Sequence, residues 1–116
     1  MIEVKAFYKK HYTRTKGAVI TFDELIVVGH ANDGELNSIK CCASVTAILY
    51  GFTKIVTGAT DIVKMEKGFF HYKNFNSTGD KNTRCGLDLV IIQLYEVYKT
   101  YPNLFKTFDM IEKGGN

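Results

Sequence analysis

Leu25-Ile26-Val27-Val28 is an unbroken apolar run, rich in β-branched residues and too short for a helix, that stops at Gly29. It reads as a buried strand, which places His30 at the strand's exit, where side chains commonly reach a cleft. Asn32, Asp33 and Gly34 supply turn chemistry. Asn37 and Ser38 are both good helix N-caps, and from there apolar residues recur every three or four positions to Ala59. A buried strand that must cross a short polar loop into an amphipathic helix restricts the chain to folds in which a helix lies on a sheet.

The spacing sets Cys41 and Cys42 in the helix's first turn or just past it. At about 100° per residue, Cys41 shares a stripe with Val45, Ile48, Phe52, Ile55 and Val56, and so belongs to the core. Cys42 lies a further 100° round, in line with Thr46, Leu49 and Thr53, at the edge of the apolar face. Near a helix N-terminus, unpaired N–H groups and the macrodipole favour a thiolate, and a histidine within reach favours it further. Cys42 and His30 are therefore a candidate nucleophile and base. The competing reading is a small interior cysteine beside a capping histidine. A bridge between Cys41 and Cys42 is disfavoured, because adjacent helical residues point in different directions.

The rest of the chain reads as further strands and one more helix. Ile2, Val4, Ala6 and Tyr8 alternate with Glu3, Lys5 and Phe7, which predicts a strand with one buried face. Lys9 to Gly17 carries four positive charges and an aromatic residue, the composition of a solvated basic hairpin loop or of a phosphate contact. Ala18–Phe22 and Leu25–Gly29 are β-prone and flank Asp23-Glu24; they form two strands or one bent strand.

Past Gly58, which suits a helix C-cap, Ile62–Glu66 and Phe69–Phe75 predict a hairpin turning at Lys67-Gly68. Phe70 and Tyr72 share one face of it, and Phe69, His71 and Phe75 the other. His71, a lone histidine in an alternating strand, reads as structural. After a polar loop over Asn76–Asn82, a second helix begins near Asn82 or Thr83 and runs to Tyr101, where Pro102 stops it. Its stripe is Leu87, Ile91, Leu94, Tyr98 and Tyr101, widened by Val90 and Val97, while Cys85, Leu89 and Ile92 make a second apolar face that needs its own partner. Phe105–Ile111 is a last strand before a polar tail, Glu112–Asn116. The sum is an α+β fold: one compact domain over residues 1–116, a mostly antiparallel sheet of about five strands, and two α-helices.

Composition removes several function classes. Three cysteines without C-x-x-C spacing argue against a disulfide framework and against a zinc site. No G-x-G-x-x-G or G-x-x-x-x-G-K motif is present, so no nucleotide cofactor is expected, and no metal either. No apolar run approaches a membrane span, and the first residues lack the pattern of a signal peptide, so a soluble cytoplasmic protein is expected. A net charge of +3 is only mildly basic.

Gly29-His30-Ala31, followed by a short loop and Cys42-Ala43-Ser44-Val45-Thr46, resembles the signature of the ribosomal-processing cysteine proteases (Prp). The order of strands and helices is similar over nearly the whole chain. The resemblance implies a cysteine endopeptidase that removes an N-terminal extension from a large-subunit ribosomal protein, acting as a homodimer without a cofactor. It carries the catalytic roles to His30 and Cys42, with Gly29, Ala31, Ser38 and Thr46 as the substrate-binding positions beside them; Thr46 stands where the family often has serine. Cys41 stands where the family has an aliphatic residue. Asn37 and Ile39 stand where many members have glycine and aspartate, which leaves the aspartate's orienting role unfilled, and the basic segment around Lys9–Lys16 is an addition. That segment, through Lys9, Lys10, Arg14 and Lys16, is the candidate contact with the ribosome or RNA. The alternative to a protease is a non-catalytic binding module that uses the same basic surface.

Overall fold

A computed structural model of the chain describes residues 1–31, 34–56, 62–74 and 81–114. In order the elements are β1 (Ile2–Thr13), β2 (Gly17–Val28), α1 (Leu36–Thr53), β3 (Ile62–Glu66), β4 (Phe69–Lys73), α2 (Lys81–Thr100), a 3-10 turn (Pro102–Leu104) and β5 (Phe105–Glu112). The sheet order is β3-β4-β2-β1-β5. Neighbours are antiparallel except β1 and β5, which run parallel. This is the expected α+β architecture. Both helices pack on one sheet face, where Val4, Ala6, Leu25, Val27, Phe70 and Tyr72 meet Cys41, Leu49 and Phe52 of α1 and Leu87, Ile91 and Leu94 of α2 in a single core. Phe52 stands edge-on to both Phe70 and Tyr72, the geometry aromatic rings prefer.

Ala18 to Val28 is one strand, bent at the place where the sequence is weakest. Phe7 pairs with Glu24 and Tyr8 with Phe22, so Asp23 is the extra residue of a β-bulge. The predicted basic loop is mostly strand. The β1–β2 ladder continues to Thr13 opposite Gly17, and only Arg14–Lys16 turn, with the Lys16 N–H bonded to Thr13 Oγ1 at 3.0 Å and Gly17 at φ +67°. Charged side chains that stand clear of the sheet leave the backbone free to pair, and Val19, Ile20 and Thr21 supply a β-prone partner.

Helix α1 also departs from expectation. It starts at Leu36, with Glu35 at the N-cap position but no side-chain capping bond to the helix; Asn37 and Ser38 lie inside it. The buried stripe is Ser38, Cys41, Val45, Leu49 and Phe52, centred about 40° from Cys41 on the Cys42 side. Leu49 is therefore core, while Ile55 is 39% exposed. The helix stops at Thr53, well before Ala59. Thr53 Oγ1 donates to the Tyr50 carbonyl at 2.6 Å, and the Lys54 and Ile55 N–H groups tighten onto Gly51 and Phe52. Ile55 then closes on Gly86 of α2, where an added Cβ would lie 3.3 Å from its Cδ1. The turn residues Asn32 and Asp33, the cap at Gly58, Phe75 and most of the Asn76–Asn82 loop lie outside the described residues.

Helix α2 begins at Lys81, one or two residues earlier than expected, and its buried face starts at Thr83 and continues through Gly86, Leu87, Val90, Ile91 and Leu94. Its second apolar face is exposed at Leu89 (53%) and Ile92 (60%). With Ile20, Phe22 and Met110, Ile92 and Tyr95 border a groove of about 400 Å³. No helix among the described residues is long and apolar enough to cross a membrane.

Candidate active site

The chain leaves β2 at Val28 and turns sharply at Gly29, whose φ of +102° is open to glycine. A side chain there would also strike the Met1 carbonyl. The Gly29 N–H donates to the Gly68 carbonyl at 2.9 Å, which fastens the strand exit to the β3–β4 turn. His30 follows with its side chain exposed, and Ala31 turns back into the core at 7% exposure.

Ala31 is the link to the cysteine. Its N–H donates to Cys42 Sγ at 3.3 Å, and the thiol in turn lies 3.5 Å from the Ala31 carbonyl. Cys42 is half-buried at the edge of the apolar face, as the helical wheel requires, and Cys41 beside it is fully buried. Burial pushes the Cys41 thiol up to about 11, and the neighbouring Cys42 adds to the effect, so Cys41 is the inert member of the pair. Because α1 starts at Leu36, Cys42 is its seventh residue, beyond the first turn in which the dipole acts most strongly. The backbone donor at the sulfur comes from the strand-exit loop instead.

Among the described residues no hydrogen bond joins His30 to Cys42. The imidazole rests on Gly68: a Cβ built there would collide with Nε2 and lie 2.9 Å from Cε1 and 3.0 Å from Cδ2. Sequence reading gave Gly68 only a turn-forming role, which its φ of +76° also satisfies. The remaining candidates are spread out. Ser38 is buried at 1% exposure, and its Oγ has no hydrogen-bond partner among the described residues; Thr46 is exposed one helical turn beyond Cys42. Gly29 and Ala31 already spend their N–H groups on Gly68 and on Sγ. No group of three or more His, Cys, Asp or Glu that could hold a metal ion occurs among the described residues.

His71 belongs to a separate ion network on the opposite sheet face, at the bulge. Its Nε2 lies 2.7 Å from Glu24, and Lys113 reaches Glu24 at 3.0 Å and Asp23 at 3.1 Å. Burial alone would raise the Glu24 carboxyl, but hydrogen bonds from His71 and Lys113 and the charges of Lys113 and Lys73 hold it below its ordinary value.

A half-buried thiol held by a backbone donor, one peptide away from an exposed imidazole, is equipped for nucleophilic thiol chemistry. The fold is that of the Prp ribosomal processing proteases. Two crystal structures of Prp from S. aureus, one with a covalently linked product peptide and one with a substrate peptide, are similar at TM-scores of 0.68 and 0.67 with 20% and 19% identity, covering 97% of this chain and 100% of theirs. A Streptococcus mutans protein is similar at a TM-score of 0.69 with 15% identity over 97% of this chain and 96% of its own. No family profile and no curated protein sequence matches the chain.

Proposed function

We propose that this protein is a cysteine endopeptidase that removes an N-terminal extension from a large-subunit ribosomal protein, with Cys42 as nucleophile and His30 as base. The observation that carries the proposal is the Ala31 peptide: it holds the Cys42 sulfur and belongs to the residue next to His30. It draws support from a fold shared with proteases crystallised with peptides.

In the proposed reaction His30 takes the Cys42 proton and the thiolate attacks the scissile carbonyl carbon, placing the carbonyl electron pair on oxygen. As the sulfur bonds to carbon it becomes a poor acceptor, which frees the Ala31 N–H to donate to the developing oxyanion. The tetrahedral intermediate collapses, the amine leaves with the proton from His30, and water releases the acyl group from sulfur. Thr46 and the Gly29–Ala31 backbone are the proposed flanking contacts with the substrate.

The protein is proposed to work in the cytoplasm as a homodimer, with the outward Leu89–Ile92–Tyr95 face of α2 as the surface of assembly. Association with the ribosome or RNA is assigned to the β1–β2 arm. From Lys9 to Phe22 that arm carries Lys9, Lys10, Arg14 and Lys16 and no acidic residue, and its Tyr12 is 79% exposed. A binding module without catalysis would use the same arm. Single-turnover incubation with the host's own ribosomal precursor separates the two readings: cleavage lost in both Cys42→Ala and His30→Ala supports the protease, and an uncut precursor retained by the arm supports the module.

A further inference from the structure

We propose that Gly68, in the turn between β3 and β4, is a positioning residue for His30, its missing side chain leaving the surface on which the imidazole rests. The inference rests on the reading of His30 as the base.

Two contacts converge on this glycine. Its carbonyl accepts the Gly29 N–H at 2.9 Å, fixing the backbone immediately before His30. Its Cα lies under the ring, since three imidazole atoms crowd the place where a Cβ would stand. His30 is exposed, so an added methyl group displaces the ring into open space and leaves the turn in place. A small side chain at position 68 is thus expected to cost the base its position without costing the protein its fold. A role in the turn alone would predict no such effect, and Gly17 provides the comparison. It is also a hairpin-turn glycine at positive φ, +67° against +76°, but a Cβ on it meets nothing within 4 Å. Alanine at either site imposes similar backbone strain; only at position 68 does it touch His30.

The test uses the full chain. In wild-type protein a nuclear Overhauser contact between a His30 ring proton and the Gly68 Hα is expected, and its absence overturns the proposal without any variant having to fold. Gly68→Ala and Gly17→Ala are then compared on a peptide substrate. Their melting temperatures should fall alike, while Gly68→Ala alone shifts the His30 ring resonances and lowers kcat by about 100-fold with KM little changed, the loss that roughly 1 Å of misplacement brings. Equal losses of kcat in both variants, or unmoved His30 resonances in Gly68→Ala, would refute the positioning role. If His30→Ala keeps full activity, the catalytic reading fails on its own, and the ring resonances still decide whether the turn places His30.

Discussion

Residue-resolved alkylation of the three thiols tests the division of labour between the adjacent cysteines. With a value of about 11, the Cys41 thiol is ionised at pH 7 in about one molecule in 10⁴, and it is also fully buried, so a thiolate-directed reagent has neither charge nor access there. Cys42 is reachable, and its sulfur already has the Ala31 N–H as a donor at 3.3 Å. If His30 stabilises the thiolate as a charge-assisted partner, that interaction is worth about 1.5–3 kcal/mol. At 1.36 kcal/mol per tenfold, removing it slows the reaction by about 10–160-fold near neutral pH. The assay is timed iodoacetamide treatment of native protein with mass-spectrometric mapping of each cysteine. Mapping is needed because Cys85 is exposed and will also label; it serves as the internal reference. Cys42 should label first, His30→Ala should slow it while leaving Cys85 unchanged, and Cys41 should label only after denaturation. Labelling of Cys41 at the Cys42 rate, or a Cys42 rate indifferent to His30→Ala, would refute the assignment of nucleophile and base.

Three further outcomes are expected. Ser38→Ala should stabilise the fold, because an unpartnered buried hydroxyl costs about 1–3 kcal/mol, which for 116 residues is a rise in Tm of about 4–12 °C; an unchanged Tm would mean the hydroxyl is satisfied. Glu24 titrates below its ordinary 4.5 in the folded state, so its contribution is present above that pH and is lost as pH falls through the lower folded value; the melting temperature of Glu24→Gln should therefore change less than that of wild type between about pH 5 and pH 3. Replacing Lys9, Lys10, Arg14 and Lys16 by glutamine should raise KM for the intact precursor at low salt and spare kcat, the difference shrinking once the Debye length falls below roughly 10 Å.

What the sequence disclosed was whatever depends on neighbours a few residues apart. The hairpin, with Phe70 and Tyr72 turned inward and His71 outward, follows from period two, and the inner stripe of α2 from period 3.6. The edge position of Cys42 and the burial of Cys41 were legible for the same reason. The start of α1 was not, since Ser38 has the chemistry of a cap and lies instead in the core, where packing overrides preference. The arm was hidden because its lysines advertise solvent while its backbone pairs. Least legible was the surroundings of the two candidate residues: the Ala31 N–H at the sulfur and Gly68 under the imidazole come from chain segments brought together only when the sheet closes.

The parallel pairing of β1 with β5 has a consequence for how the chain is made. β2 follows β1 directly and covers one of its edges at once, but the strand that covers the other begins about ninety residues after β1 ends. At roughly 5–20 residues per second, that edge stays open on the ribosome for about 5–20 s. Throughout that interval Phe108, which will stack on Tyr98 at 5.3 Å, has yet to arrive. The β1 edge therefore stays at its stickiest until β5 emerges, and a chain cut short ahead of Phe105 should be found in inclusion bodies or bound to a chaperone, with no trimmed soluble form.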